Sequence, residues 1–218
     1  MKKIALYIFV AAALFISTSA SARGGCELAQ VGDVEVTWTG YKTDEKVGVS
    51  GGFNGVKYIA VAPSGENFRS ILVGSKVLID TQSVNSKHQE RDAKLAKFFF
   101  GMMSKNSIEA KIVDMKPHKG EKSDKKAKKR ARTGELSVEI EMNGVKKVVP
   151  MSYSFNDDVF EAKGVIDMLD FGASNALSSI NKACFDLHKG KTWSEVGISF
   201  KTKIEAKLCN AEPLKMTK

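Results

Sequence analysis

Apolar and polar residues alternate along most of the chain, and this period of two constrains the fold more than any other feature of the sequence. The clearest stretch lies near the C-terminus. There Val196, Ile198 and Phe200 share one parity with Ile204 and Leu208, and charged residues occupy most positions between them. Successive side chains of a β-strand point to opposite faces, so this pattern predicts a strand with one buried face. Such strands are typical of antiparallel sheets that cover a core on one side.

Several other segments show the same alternation and are predicted strands. They cover residues 34–39, 71–79, 136–142, 149–155 and 159–169. Asn143-Gly144 separates two of them and is the strongest short signal for a two-residue hairpin turn. Six or more strands without a βαβ rhythm favour a closed barrel or a sandwich. The long final strand over residues 195–208 favours the barrel, because closure removes exposed edges.

Two segments depart from the period of two. Residues 90–103 and 171–187 place their apolar side chains at helical spacing, which predicts a helix in each, the second ending near Gly190. Four closely spaced glycines predict a sharply bent or bulged strand, as barrel corners require. They are Gly48, Gly51, Gly52 and Gly55.

The N-terminus has the pattern of an export signal. Two lysines precede an apolar run over residues 4–16, and Ala20-Ser21-Ala22 then supplies a small-residue cleavage site. We therefore expect a signal peptide over residues 1–22, cut after Ala22, and a mature periplasmic chain of one domain over residues 23–218. An uncleaved membrane anchor is one alternative, and a lipid anchor on Cys26 is another.

The positive charge of the chain is concentrated in one segment. The net charge of +9 falls to +7 when Lys2 and Lys3 leave with the signal peptide. Lys116–Arg132 carries nine basic and two acidic residues, so it accounts for the whole of that excess. We expect a mobile basic hairpin loop over residues 116–133, and not the basic folded face of a nucleic-acid binder. This loop either contacts an anionic membrane surface or is a solvated insertion.

Four stretches resemble the YceI family of lipocalin-like, polyisoprenoid-binding periplasmic proteins. The segment Ser83–Asp92, followed by Leu95 and the pair Phe98-Phe99, resembles the family's S-V-x-T-x-x-x-x-R-D-x-x-L motif and its paired phenylalanines. The other three stretches are a first strand containing Trp38, a central hairpin and a closing strand, and they occur in the family's order. They are residues 34–42, 136–150 and 193–198.

The resemblance implies an all-β fold, an eight-stranded antiparallel lipocalin-like β-barrel with one or two short helices. It also implies a binding protein, with no enzymatic activity and no cofactor, that holds an isoprenoid quinone, a polyprenyl chain or a fatty amphiphile in its interior. The sequence departs from the family in its basic insertion, its three cysteines and the helix predicted over residues 171–187. The last departure bears on the shape of the cavity mouth.

The candidate ligand-binding residues are large apolar side chains on the inward parity of the strands, with three residues of the first predicted helix. They are Trp38, Phe53, Arg91, Phe98, Phe99, Met142, Met151, Tyr153, Phe155, Ile166, Met168 and Phe200. The alternative interpretation is a barrel filled by its own side chains, since alternation does not distinguish a filled barrel from a hollow one. Arg91 would meet a polar headgroup in the first interpretation and pair with a nearby carboxylate in the second.

The three cysteines allow one disulfide in an oxidising compartment. Cys26 precedes the first strand and Cys209 follows the last, and these strands are neighbours in an up-and-down barrel, so Cys26–Cys209 is the favoured pair. Cys184 bonded to either one is the alternative. Cys184 and His188 lie four residues apart on a predicted helix, but a zinc site needs three or four ligands, and no second cluster is present in the sequence.

The second functional hypothesis is a filled barrel that acts as an interaction or stress protein through its basic loop. An enzyme is disfavoured, because the sequence shows no catalytic triad order, phosphate-binding loop or acid–base carboxylate pair.

Overall fold

The computed structural model describes residues 27–118 and 132–207. They form one antiparallel sheet of ten strands in the order β3-β4-β6-β7-β8-β9-β10-β1-β2-β5. The strands are β1 (Glu27–Lys42), β2 (Val47–Phe53), β3 (Val56–Ile59), β4 (Lys76–Asp80), β5 (Val84–Asn85), β6 (Ser107–Pro117), β7 (Arg132–Met142), β8 (Val145–Asn156), β9 (Val159–Asp167) and β10 (Thr192–Lys207).

The sheet curls until its two ends are close to each other. β4 is second in the strand order and β5 is last, yet only the short turn Thr81–Ser83 joins them. Two backbone hydrogen bonds join the same region. The amide of Asn54 donates to the carbonyl of Ser83 (2.9 Å), and the amide of Asp80 donates to the carbonyl of Gly55 (2.9 Å). The result is a half-barrel, which agrees with the predicted all-β antiparallel class.

The expected number of eight strands needs correction to ten. Eight strands have five residues or more, and the two further ones are the edge strands β3, with four residues, and β5, with two. A pattern of period two is hard to recognise in two to four residues, so the sequence does not reveal these edges.

The predicted strand over residues 71–79 is wrong in its first half. Residues Phe68–Leu72 form the helix α1, and β4 begins only at Lys76. The side chain of Asn67 accepts a hydrogen bond from the amide of Ser70 (3.0 Å), and the Ser70 hydroxyl accepts one from the amide of Asn67 (3.2 Å). This reciprocal capping box favours a helix at Phe68. Residues 71 and 72 therefore continue the helix, although the alternation of apolar residues from position 71 predicted a strand. The strand predicted over residues 159–169 likewise ends early, at Asp167.

The glycine-rich strand β2 is not bulged, which corrects a second expectation. Its pairing with β1 is regular, whereas the two register shifts near this edge lie between β1 and β10. A Cβ atom on Gly51 would lie 2.6 Å from the ring of Trp38 and 2.9 Å from the carbonyl oxygen of Asn85. Gly51 is therefore required by close packing against Trp38 and not by a bulge of the strand.

The helical segments pack together and cover one end of the half-barrel, and we call them the helical cover. They are α2 (Gln89–Lys94), the π-helical turn Leu95–Phe99, the 3-10 turn Phe100–Met102, α3 (Ser174–Ala183) and α4 (Phe185–His188). Both predicted helical segments are confirmed, although each is divided into shorter pieces. Within residues 27–118 and 132–207, no helix combines the length and apolarity needed to span a bilayer.

The opposite end of the half-barrel is filled by aromatic side chains. Phe160 is fully buried there and packs on Tyr153 (ring centroids 5.1 Å apart), on Phe68 (5.7 Å) and on Phe200 (6.4 Å). Phe155 packs on Phe68 from the other side at 4.8 Å. Such pairs add to the free energy gained from burial of apolar area, so this end is the dense part of the core.

The predicted hairpin turn Asn143-Gly144 also fastens the helical cover to the sheet. Both residues have positive φ angles, 53° and 78°. The Asn143 side chain accepts a hydrogen bond from the amide of Ser104 (2.7 Å) and donates one to the carbonyl of Phe171 (2.9 Å). Its amide group thus connects the segment that leaves the first half of the cover to the segment that enters the second half.

We expect Asn143→Ala to lower the free energy of unfolding by about 2–3 kcal/mol, because it removes two hydrogen bonds and puts alanine in a left-handed conformation. Asp157→Ala is the matched control, since Asp157 also has a positive φ of 48° but its carboxylate bonds only to the adjacent side chain of Asn156. Urea titrations of both variants measure the difference. Equal losses would show that the side-chain bridge of Asn143 contributes nothing.

Candidate ligand-binding cavity

A cavity of about 440 Å³ lies between the concave face of the sheet and the helical cover. Its volume falls within the range of about 300–1,000 Å³ that is usual for ligand pockets. Most of its walls are aliphatic, aromatic or methionine side chains from the sheet strands and from the cover. The half-barrel is therefore filled at one end and hollow at the other.

Nine of the twelve candidate residues line this cavity. They are Trp38, Phe53, Arg91, Phe99, Met142, Met151, Ile166, Met168 and Phe200. The other three lie elsewhere. Tyr153 and Phe155 belong to the aromatic cluster at the filled end, and Phe98 is not among the cavity-lining residues, with the ammonium of Lys97 5.0 Å from the centre of its ring.

The cover contributes wall residues that were not among the candidates. Leu177, Ile180 and Cys184 of the α3 region line the cavity, and Cys184 is buried and forms no disulfide within residues 27–118 and 132–207. Their helical spacing identifies an apolar face in the sequence, but the spacing does not show that this face closes a cavity. Ala110 of β6 was also missed, because a small side chain carries no signal of its own in an alternating strand.

One polar group lies deep in the wall. The hydroxyl of Tyr58 is buried and forms no hydrogen bond of ordinary geometry within the described residues. Burial raises the pKa of Tyr58, and the nearby Ser75 hydroxyl offsets part of that rise. Tyr58 therefore keeps its proton at neutral pH.

The cavity opens to solvent beside the cover. Among the lining residues only His88, Glu90 and Leu187 are exposed, which places the opening between α2 and α4. The polar residues around this opening form what we call the mouth. They are Lys42, His88, Glu90, Arg91, Lys94, His188, Thr192 and Trp193.

Arg91 is held in place at the mouth by a neighbouring turn. Its Nε donates to the Ser86 hydroxyl (2.7 Å) and its terminal nitrogen donates to the Ser86 carbonyl (2.8 Å). The Asp92 carboxylate accepts from the amide of Ser86 (2.8 Å) and from its hydroxyl. The expected alternative, an ion pair between Arg91 and a carboxylate, is not present within the described residues. The motif that resembles the YceI family thus folds into a fixed turn that starts α2.

A chain of hydrogen bonds determines the protonation of His188. The Asn181 side-chain amide donates to the carbonyl of Gly190 (3.0 Å), so its oxygen is free to accept from the Thr192 hydroxyl (3.0 Å). That hydroxyl has used its only proton, so His188 Nδ1 must donate to it at 2.7 Å. The neutral imidazole then carries its proton on Nδ1 and has a lone pair on Nε2.

The surroundings of His188 also favour the neutral form. Burial lowers the pKa of His188 below its usual value of 6.5, and the ammonium groups of Lys42 and Lys94 lower it further. At neutral pH the ring is therefore uncharged.

The Cys184–His188 pair has no further His, Cys, Asp or Glu to complete a metal site in the described parts of the chain. The favoured Cys26–Cys209 disulfide, the signal peptide and residues 119–131 of the basic loop lie outside the described residues.

Comparisons with known proteins agree with this architecture. A model of the YceI-like domain matches residues 31–206. The fold is similar to that of a polyisoprenoid binding domain from Saccharophagus degradans implicated in plant cell wall breakdown, with 13% identity, a TM-score of 0.53, and coverage of 83% of this chain and 98% of that one. It is also similar to BcnA of Burkholderia cenocepacia, with 14% identity, a TM-score of 0.53, and coverage of 79% and 96%. A search of curated protein sequences returns no significant match. The matched domain model spans most of the chain, and the protein belongs to the YceI-like family.

Proposed function

We propose that this protein binds the apolar chain of an isoprenoid or fatty amphiphile in its cavity and carries it without chemical change. The observation that supports the proposal most directly is a largely apolar chamber of about 440 Å³ beneath the helical cover. Each buried methylene contributes about 0.8 kcal/mol, so a chain of ten contributes roughly 8 kcal/mol before the entropic cost of binding. Tight binding then needs few polar contacts.

The comparisons support the ligand class. One neighbour of similar fold is described as a polyisoprenoid binding domain, and the family model covers the strands and the cover that enclose the cavity. Methionine side chains such as Met142, Met151 and Met168 suit such a site, because an unbranched thioether adapts to the shape of a flexible chain.

We place this activity in the periplasm, because the first 22 residues have the pattern of a cleaved export signal. Native mass spectrometry of protein purified from that compartment, followed by organic extraction, tests both statements. We expect a mature chain that starts at Arg23 and an additional mass released as a prenyl or fatty species. A chain without added mass, before and after incubation with quinones and fatty amphiphiles, would contradict the proposal.

A variant that fills the cavity provides the second test. Ala110 lies in the cavity wall on β6, so Ala110→Trp is expected to occupy the space of the ligand and to lower affinity at least about tenfold, since a tenfold change needs only ~1.4 kcal/mol. Val165→Trp is the control, because Val165 is 63% exposed on the outer face of the sheet. Calorimetric titration of both variants with one prenyl amphiphile measures the effect. Unchanged binding by Ala110→Trp would place the ligand outside this cavity.

A further inference from the structure

We propose that the mouth of the cavity selects amphiphiles with an anionic headgroup, a carboxylate or a phosphate monoester, which Lys42 and Lys94 bind. This inference rests on the proposed function, because it assigns the headgroup of the same ligand. The inference assigns the polar headgroup of the ligand, whereas the volume and apolar walls of the cavity account only for its chain.

Five lysines of the described residues either line the cavity or lie in the strands and loops beside its mouth. Three of them have carboxylate partners, and two of these three also pack their ammonium groups over the ring of Trp193, at 4.9 and 4.5 Å. Lys42 and Lys94 differ, because both line the cavity and neither forms an ion pair within residues 27–118 and 132–207. The paired lysines are Lys46 with Glu195, Lys189 with Glu45, and Lys191 with Asp44.

The two unpaired lysines approach the mouth from opposite walls. Lys42 is the last residue of β1, where it pairs with Thr192, and it shares its parity with Trp38 in the cavity wall. Lys94 is the last residue of α2 in the cover. Both side chains are half-buried, so their charges are less screened than those of exposed lysines. Both ammonium groups are close enough to His188 to lower its pKa, so an anion bound beside that ring can accept charge-assisted hydrogen bonds from either lysine.

Other charged groups at the mouth do not neutralise the pair. Glu90 is the only carboxylate that lines the cavity, and it is exposed, while the guanidinium of Arg91 is committed to Ser86. The apolar chain of the ligand would lie below, against the methionine and aromatic walls. The mouth therefore combines two lysines without ion-pair partners in the described residues with an apolar chamber, an arrangement that favours a lipid acid over a neutral lipid with the same chain.

His188 gives this arrangement a dependence on pH. The ammonium groups of Lys42 in β1 and Lys94 in α2 act on its ring. The other charged or titratable groups at the mouth are His88, Glu90 and Arg91. Asp186 lies in the same helix as His188. A bound anion opposes the effect of the two ammonium groups, so it raises the pKa of His188 and Nε2 takes up a proton. His188 then has a lower pKa in the free protein than in the complex. By linkage, the affinity for the anion is lowest at a pH above both of these pKa values and rises as the pH falls through them.

Pairs of ligands with identical chains test the inference by calorimetric titration of the full mature protein. Farnesyl phosphate is compared with farnesol, and dodecanoate with dodecanol. We expect each anion to bind on the order of tenfold tighter than its neutral counterpart, as expected from one or two charge-assisted hydrogen bonds. In Lys42→Gln/Lys94→Gln the preference for the anion should disappear, so that the two members of each pair bind equally.

The control is Lys163→Gln/Lys201→Gln, which removes the same charge from two lysines on the outer face of the sheet, each paired with a glutamate. It should keep the preference for anions. NMR titration of His188, assigned with His188→Gln, should show a higher pKa with dodecanoate than with dodecanol.

Equal affinity for anionic and neutral members in the unmodified protein would overturn the inference and leave the proposed function intact. Binding of inorganic phosphate as tight as that of farnesyl phosphate would also overturn it, because the site would then be independent of the apolar chain. Failure of all four amphiphiles to bind would overturn the proposed function itself.

Discussion

Phe160→Ala is expected to lower the free energy of unfolding by about 3–5 kcal/mol, the largest effect of any single truncation we consider. Phe160 is fully buried and contacts the rings of Phe68, Tyr153 and Phe200. Alanine would leave a void among rigid aromatic rings on a sheet, which have little freedom to collapse into it. The loss therefore includes both the transfer free energy of the ring and the cost of the cavity.

Chemical denaturation followed by circular dichroism measures this loss. The control is Phe185→Ala, because the side chain of Phe185 is 61% exposed on α4 and its removal should change the unfolding free energy by less than about 0.5 kcal/mol. A small effect of Phe160→Ala would mean that the filled end is loosely packed, and the distinction between a filled end and a hollow end would be lost.

Gly134→Ala is expected to cost about 3 kcal/mol, although it adds a single methyl group. A Cβ atom at this position of β7 would lie 2.3 Å from the carbonyl oxygen of Lys116 and 2.5 Å from the ring of Tyr153. The oxygen belongs to the paired strand β6, so the clash can be relieved only by separating the strands or by moving a buried ring, and such overpacking destabilises by about 1–3 kcal/mol or more.

The matched control is Gly197→Ala in β10, where the nearest atom to the added Cβ would be 3.7 Å away. This variant should be neutral or more stable by up to about 1 kcal/mol, because alanine reduces the freedom of the unfolded chain. Thermal and urea unfolding of both variants compare the two glycines directly. Similar losses of unfolding free energy at the two positions would show that the different strand propensities of glycine and alanine, and not the close approach of β6, determine the effect of Gly134→Ala.

The alternation in the sequence identifies which face of a strand is buried, but not where along the strand the interior is empty. Met151 and Tyr153 lie on the same face of β8, two residues apart, yet Met151 lines the cavity and Tyr153 lies in the filled end. The difference depends on where the helical cover stops and the aromatic cluster begins. That boundary is set by contacts between distant segments, which a local pattern does not contain.

The charged part of the site is even less visible in the sequence. Lys42 and Lys94 belong to a chain rich in lysine, and nothing in their local spacing distinguishes them from Lys46 or Lys191. The distinction arises because Glu195 of β10 reaches Lys46 and Asp44 of the β1–β2 turn reaches Lys191, whereas no carboxylate of the described residues forms an ion pair with Lys42 or Lys94. Pairing across a sheet and between a sheet and a helix must be known before an unpaired charge can be recognised.

The strand order also determines when the protein can fold. β1 and β10, which share one of the longest ladders of the sheet, are the first and last elements of the described chain, and every other strand lies between them in the sequence. A contact of such long sequence separation carries a high loop-closure entropy and forms slowly. During synthesis the strands β6 to β9 can pair as hairpins, but the half-barrel is completed only after the last strand has emerged. Until then β1 and β9, the two strands that pair with β10, each present an unpaired edge, and nascent chains in this interval are the form most exposed to aggregation.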